Sequence, residues 1–150
     1  MTKRRLGTLC LLVIGAVLVL TSCGGGSKRL TKEQFAAKAN TLCAAFNKQV
    51  NAVPTPKTIA EAATSFEKLL PLDRKLVADM KALKPPANEE KAVNQAIALG
   101  EDQANRADAL IAALKKNDLT KVNALIKEGN TNTAKSKPLF TQIGATECAK

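Results

Sequence analysis

Apolar residues recur along the chain after residue 30 at steps of three and four, the spacing of an amphipathic helix. The first helical face holds Phe35, Ala39, Leu42, Cys43, Phe46 and Val50. Thr31 and Gln34 stand ahead of it as a capping box, with Leu30 and Phe35 at the positions of a hydrophobic staple. The two prolines of "VPTPKT" (53–58) are expected to end this helix.

A second capping box, Thr58 with Glu61, opens the next predicted helix. Its apolar face is formed by Ala62, Phe66, Leu69, Leu76, Met80 and Leu83. Pro71 lies within this pattern and removes a backbone hydrogen bond, so it should kink or split the helix. The segment "KPPAN" (84–88) ends it.

A third helix is predicted after Asn88, which can cap it. Its narrow apolar seam is typical of nearly parallel helix packing and holds Val93, Ile97, Gly100, Ala104, Ala107, Ile111 and Leu114. A fourth helix begins near Leu119. The segment "EGNTNTAKSKP" (128–138) is rich in poor helix formers, so a break or frayed middle is expected there. Gly144 is a natural stop.

No segment alternates apolar and polar residues for long enough to indicate a strand. Four helices with short connections predict an all-α, up-down-up-down four-helix bundle. The four phenylalanines lie on the predicted inner faces, where core packing is a simpler interpretation than a ligand site: Phe35, Phe46, Phe66 and Phe140.

The first 22 residues resemble a lipoprotein signal peptide. Lys3, Arg4 and Arg5 precede an uncharged run, 6–20, which is shorter than the roughly 20 apolar residues that span a bilayer. The run ends in "LTSC" (20–23), which resembles a bacterial lipobox. This resemblance implies that Cys23 carries a diacylglyceryl group and becomes the mature N-terminus. An uncleaved membrane anchor and an ordinary secreted protein are the alternatives.

Residues 23–30 then form a lipidated flexible linker, and residues 31–150 form the helical domain. The two acyl chains would anchor the protein stably to the outer face of the bacterial cell membrane. Lys28 and Arg29 either approach anionic headgroups, at about 1 kcal/mol each, or only keep the linker soluble.

Charge narrows the set of partners. Without the three basic residues of the signal, 20 basic and 13 acidic residues remain, a net charge of +7. This charge could attract anionic lipids or wall polymers. Nucleic acid is a poor match because the basic residues are spread out and the chain has no Tyr or Trp for stacking on bases.

Four cysteines are present, and three different fates are expected for them. Cys10 leaves with the signal and Cys23 takes the lipid, so Cys43 and Cys148 remain as an exported pair that is expected to form a disulfide. Metal binding by the two thiolates is the alternative, but it lacks partners because the chain has no His and no third free Cys.

Three segments, "LTKEQFAAKANTLCAAFN" (30–47), "ALKPPANEE" (82–90) and "IGATEC" (143–148), resemble small exported proteins and lipoproteins common in actinobacteria. Those proteins pair an early cysteine in an "F-x-x-x-A-N-x-x-C" setting with a late "G-x-x-x-C" ending. The resemblance implies a helical bundle closed by one disulfide, and it implies no activity.

Catalytic and cofactor motifs are weak. Ser65 and Lys68 match the S-x-x-K of penicillin-binding enzymes by spacing, but the further motifs of that fold are absent. Glu101, Asp102 and Asp108 are better explained as a solvated face than as a cation site. Haem and metal sites are not expected, because no His or Tyr can ligate iron. We therefore expect no cofactor and no enzyme.

Three functions remain as hypotheses. The favoured one is an interaction or scaffold module that docks another envelope protein or wall polymer, which requires an exposed apolar or basic patch. The alternative is a carrier of an apolar or lipid ligand inside the bundle. It requires a cavity of about 300 Å³ or more, and Pro71 is where helices could part. An enzyme would need a buried titratable cluster.

The lipobox generates a direct prediction. Cys23→Ala should release the exported domain from the membrane without unfolding it, because the acyl chains are the expected anchor. Membrane fractionation with circular dichroism of the released protein checks this. A variant that is exported and still sediments with the membrane would contradict the tether.

Overall fold

The structure is a computed structural model that describes residues 28–150, and those residues form four α-helices and a final turn of 3₁₀-helix. The helices are α1 (Lys32–Asn51), α2 (Ile59–Ala82), α3 (Glu90–Lys115) and α4 (Leu119–Gln142), and the turn is Thr146–Ala149. No strand occurs in this part of the chain. The predicted all-α, four-helix bundle is confirmed. None of the described helices is both long and apolar enough to cross a bilayer.

The predicted start of α1 is confirmed in detail. The Thr31 hydroxyl accepts the backbone N–H of Gln34 at 3.2 Å, and the Gln34 side chain accepts the N–H of Thr31 at 3.1 Å. Leu30 packs on the same core cluster as the fully buried Phe35. The polar box and the apolar staple therefore act together to set the angle at which the chain enters α1.

The start of α2 is confirmed only in part. Thr58 accepts the N–H of Glu61 at 3.1 Å, as predicted. The Glu61 carboxylate, however, accepts the N–H of Lys57 at 2.7 Å instead of that of Thr58. The cap thus satisfies one donor ahead of the helix, at Lys57, and one in its first turn, at Glu61.

The predicted cap of α3 is wrong. Asn88 lies in a turn, and Glu89 is the N-cap without a side-chain capping bond. The Glu89 carboxylate is buried and is used elsewhere, since it accepts from Lys32 at 2.9 Å and from Gln142 at 3.3 Å. Glu89 thereby links the starts of α1 and α3 to the end of α4.

Charged pairs show that α2 and α3 run antiparallel. Three ion pairs join the two helices at intervals of seven residues, Glu67–Lys115, Arg74–Asp108 and Lys81–Glu101. Exposed pairs of this kind contribute little stability. Their regular spacing instead identifies the register in which the apolar seams of α2 and α3 meet.

The third helix packs against both α2 and α4, and its buried surface is wider than the predicted seam. Val93, Ala104, Ile111 and Leu114 are buried as expected, and so are four residues outside the seam, Ala92, Ala96, Leu110 and Ala113. On the side of α4, Arg106 lies between the carboxylates of Asp102 and Glu128. A helix that packs against two neighbours needs an apolar stripe for each of them, whereas the sequence predicted only one.

The predicted break in α4 is wrong, because α4 is one helix across 128–138. Its inward positions continue at alternating steps of three and four through the polar segment: Val122, Leu125, Gly129, Asn132, Ser136, Leu139 and Ile143. Gly129 lies against the Gln103 side chain, and Asn132 donates to Asp102 at 2.5 Å. Contacts with α3 therefore outweigh the poor intrinsic helix propensity of these residues.

Both internal prolines lie within continuous helices. Pro71 does not split α2, and Pro138 does not end α4. Each proline leaves the carbonyl four residues earlier without its usual N–H partner. Those carbonyls belong to Glu67 and Ala134, which are exposed, so water can satisfy them. The kink predicted at Pro71 stays a prediction.

The first helix is held to the end of the chain by a disulfide and by asparagine side chains. Cys43 and Cys148 form the predicted disulfide, with their Cα atoms 5.1 Å apart. Asn40 donates to the Gly144 carbonyl at 3.1 Å and accepts the Glu147 N–H at 2.9 Å. Gly144, the predicted helix stop, follows α4 with a φ of 79°. The tight turn brings Cys148 back to α1.

Apolar packing is divided among clusters along the bundle. One cluster contains Phe35, Val93 and Ile143 and joins the start of α1 to α3 and the end of α4. A second, around Leu114 and Val122, closes the opposite end of α2, α3 and α4. The face of α2 is wider than predicted: Ala62 and Phe66 pack on this cluster, and Ala63 and Leu70 beside them are buried.

The disulfide should stabilise the fold strongly because it closes a separation of 105 residues. Loss of such a bond costs about 2–5 kcal/mol, which lowers the melting temperature by about 10 °C or more. We expect this shift on reduction, measured by calorimetry. The double variant Cys43→Ser/Cys148→Ser should melt at the same temperature as the reduced protein. Adding the reductant should not change its melting temperature. Equal melting of oxidised and reduced protein would contradict the role of the bond.

Candidate functional site

A cavity of about 230 Å³ lies in the middle of the bundle, and all four helices and the disulfide border it. Its apolar lining, called the apolar wall, consists of Phe46, Leu76, Val77, Met80, Ile97, Leu99 and Phe140 together with Ala96 and Gly100. Its polar lining, called the polar wall, comes from the same helices and from the end of the chain and consists of Asn47, Asp73, Gln103, Asn132, Thr133, Ser136 and Lys150. Thr133 and Lys150 are exposed, so they mark its mouth.

Helical periodicity explains how α2 contributes to this cavity. Asp73, Leu76, Val77 and Met80 are spaced at i, i+3, i+4 and i+7, which places them on one face of the helix. The neighbouring residue Arg74 points away, toward Asp108 of α3. A carboxyl group is therefore held within an otherwise apolar face.

Small residues on α3 create the space. Gly100 lies so close to α2 that a Cβ atom there would be 3.2 Å from the Val77 Cγ2 atom. Ala96 and Gly100 offer almost no side-chain volume, and the facing α4 positions hold Asn132 and Ser136 rather than large apolar residues. Gly100 thus lets α3 pack closely on the Val77 side chain, while Ala96, Asn132 and Ser136 leave the neighbouring space unfilled.

Asp73 is the most unusual group in the site. Within residues 28–150 it takes part in no salt bridge and no side-chain hydrogen bond. Burial raises the pKa of its carboxyl group above the ordinary value of 3.8, and the nearby charge of Arg74 opposes that rise. Desolvation of the carboxylate is thus not offset by a partner.

A second unpartnered group of the polar wall belongs to Gln103. The Gln103 Oε1 atom is buried, and the described residues supply it with no hydrogen-bond donor. The Gln103 side chain lies against Gly129 of α4. An unsatisfied buried acceptor costs about 1–3 kcal/mol and calls for an explanation.

These polar residues are not among the site residues predicted from the sequence, although the spacing of the apolar residues marks three of them as unusual. The predicted face of α2 steps from Leu69 to Leu76, and Asp73 occupies the seam position between them. Likewise, Asn132 and Ser136 occupy seam positions in the segment that was predicted to break. A polar residue at a position that periodicity reserves for an apolar one was the available sign of a site.

Of the residues predicted from sequence to have a role, Cys43 and Cys148 come together as a disulfide and border the cavity. Cys23 lies outside the described residues. Arg29, assigned to the linker, is bound to the domain: its guanidinium donates to the Pro85 carbonyl at 3.1 Å and pairs with Glu90 at 3.0 Å.

The weak catalytic and cation motifs remain separate from the cavity. Ser65 and Lys68 lie within α2. Glu101, Asp102 and Asp108 are each paired with a basic side chain of the bundle. Within residues 28–150, no group of three His, Cys, Asp or Glu side chains is placed to hold a metal ion.

Comparison with known proteins adds no assignment: the chain matches no protein-family model, no curated protein and no solved structure. The site therefore has to be interpreted from its own chemistry.

The raised pKa of Asp73 predicts a pH-dependent stability cost. The folded state binds the Asp73 proton more tightly than the unfolded state, so stability falls as the pH rises from about 3.8 through the raised pKa. Asp73→Asn removes this cost. We expect the variant to melt above wild type at pH 7 and at the wild-type temperature below pH 3.8.

Asp79→Asn is the matched control, because Asp79 lies on the same helix but is bonded to Lys75 at 2.7 Å. It should not raise the melting temperature at pH 7. If Asp73→Asn melted below wild type at pH 7, the carboxylate would be stabilising and our account of its desolvation would be wrong.

Proposed function

We propose that this protein is a lipid-tethered cell-envelope protein that binds a small ligand in its central cavity and does not catalyse a reaction. The cavity itself is the observation that supports this proposal most strongly. It lies between all four helices and joins an apolar wall to a polar one, which is the usual composition of a small-molecule site.

The polar groups favour a binding role over a packing defect. A void left by imperfect packing is typically apolar, whereas this one contains a carboxyl group and a glutamine acceptor without partners. Groups that reduce stability are commonly retained where they serve function. Asp73 and Gln103 are of that kind.

The volume of the cavity limits the size of the ligand. At about 230 Å³ the cavity is smaller than the roughly 300 Å³ that begins the range for drug-sized ligands. It equals the liquid volume of roughly eight waters. A long acyl chain does not fit, so the ligand we propose is a compact molecule rather than the lipid considered from the sequence.

The tether to the membrane rests on the lipobox at Cys23, which lies outside the described residues. The actinobacterial lipoprotein resemblance supports the same location. In this proposal the protein captures its ligand at the outer face of the membrane, where a small carrier anchored by two acyl chains would stay close to transport and wall machinery.

An interaction module, the function favoured from the sequence, is the second candidate. Three large apolar side chains are exposed in the described part of the chain: Ile59, Leu119 and Ile126. Leu119 and Ile126 share one face of α4, since they are seven residues apart. Single exposed apolar residues are common on protein surfaces, so this observation is weaker than the cavity.

Filling the cavity should weaken ligand binding without unfolding the protein. Ser136→Leu adds apolar volume at a half-buried position of the cavity wall. We expect it to weaken binding of 2-phenylethanol, a compact neutral probe, by about tenfold or more, which corresponds to about 1.4 kcal/mol. Met80 provides the measurement, because it is the one methionine besides Met1 and it borders the cavity. The NMR signal of its ¹³C-labelled methyl group should shift on binding.

Ser136→Ala is the control, since it removes the same hydroxyl group without filling the space. It should bind the probe like wild type. Failure of both 2-phenylethanol and its amine analogue 2-phenylethylamine to shift the Met80 signal in wild type would contradict the proposed binding role and favour the interaction module.

A further inference from the structure

We propose that the cavity selects a small amphipathic amine, with the ammonium group on Asp73 and the apolar part against Phe46, Met80 and Phe140. This inference rests on the proposed binding function and adds the chemical class of the ligand. It is argued from the charges, acceptors and apolar surface that meet in the cavity.

Asp73 lacks a counter-charge because the neighbouring basic residues are already paired. Arg74 bonds to Asp108 at 2.6 Å, and Lys75 bonds to Asp79 at 2.7 Å. Lys150, the other charged residue among those that border the cavity, pairs with Glu147. A cationic ligand would supply the charge that residues 28–150 do not.

Several acceptors of the polar wall receive no hydrogen bond from residues 28–150. Asp73 offers two carboxylate oxygens, and Gln103 Oε1 has no donor. The Asn132 amide donates one N–H to Asp102, and its carbonyl oxygen remains available as an acceptor. A half-turn of the Gln103 amide about its last bond exchanges its oxygen and nitrogen, so the same group can present an acceptor to the cavity. An ammonium group carries three donors and no acceptor, which complements this set.

The apolar wall excludes the simplest cations. A hydrated inorganic ion would leave Phe46, Met80 and Phe140 facing water, and the structure provides no cluster of metal ligands in residues 28–150. An amine with a compact hydrocarbon part uses both walls at once. Aromatic rings and a methionine thioether also accept cationic and aromatic neighbours favourably.

Three probes of similar shape and different charge test the inference: 2-phenylethylamine, 2-phenylethanol and 3-phenylpropanoate. Titrations use the oxidised protein that Cys23→Ala releases from the membrane, so that no detergent competes for the cavity, and they follow the Met80 methyl signal. We expect the amine to bind about tenfold or more tightly than the alcohol, and the carboxylate most weakly.

Asp73→Asn should remove this preference, so that the amine and the alcohol bind within about twofold of each other. Asp79→Asn changes the net charge equally but lies outside the cavity wall, so it should keep the wild-type preference. Unchanged alcohol binding in Asp73→Asn would show that the cavity is intact.

The outcomes separate the inference from the binding function on which it rests. Equal binding of amine and alcohol to wild type, a preference that survives in Asp73→Asn, or tightest binding of the carboxylate would each overturn the amine inference alone. Absence of any Met80 shift with all three probes would overturn both proposals.

Discussion

The bond between Cys43 and Cys148 is the constraint on which the arrangement of α1 depends. The other three helices pack along one another, with α3 between α2 and α4, and polar contacts link them along their length. By contrast, α1 is joined to the segment that follows α4 through the disulfide and through Asn40 and Asn47. Because α1 supplies Cys43, Phe46 and Asn47 to the cavity, the covalent bond also secures one cavity wall.

Small and polar side chains in the centre of the bundle determine both how closely the helices pack and which groups border the cavity. Gly100 and Gly129 let α3 approach its two neighbours closely. The same absence of bulk leaves a space that Asp73, Asn132 and Ser136 border. Leucine in place of Asp73, Asn132 and Ser136 would make the core more stable. The polar side chains at these positions therefore reduce the stability of the fold.

Local signals were sufficient to predict the number and order of the helices. The caps at Thr31 and Thr58, the stop at Gly144 and the pairing of the cysteines depend on a few residues whose chemistry determines their structure. The continuity of α4 could not be predicted from helix propensity, because Gly129 and Asn132 are held in helix by contacts with α3.

The cavity could not be predicted from the sequence, for a different reason. Its existence depends on the difference between the space enclosed by four helices and the volume of the side chains that face it. No single residue type determines that difference. Asp73 was nevertheless detectable as a charged residue at a seam position. A charged residue at such a position should be considered as part of a site before it is assigned to the surface.

The attachment of the segment before α1 also determines how mechanical load would enter the domain. Leu30 donates its N–H to the Lys84 carbonyl at 2.9 Å, and Arg29 is bound to Pro85 and Glu90. A pull on the chain ahead of Lys28 is therefore taken up at the corner between α2 and α3, and α1 is spared from being drawn out from its first turn. Such a pull would first break this corner, and α1 would keep its place in the lining of the cavity until the corner gave way.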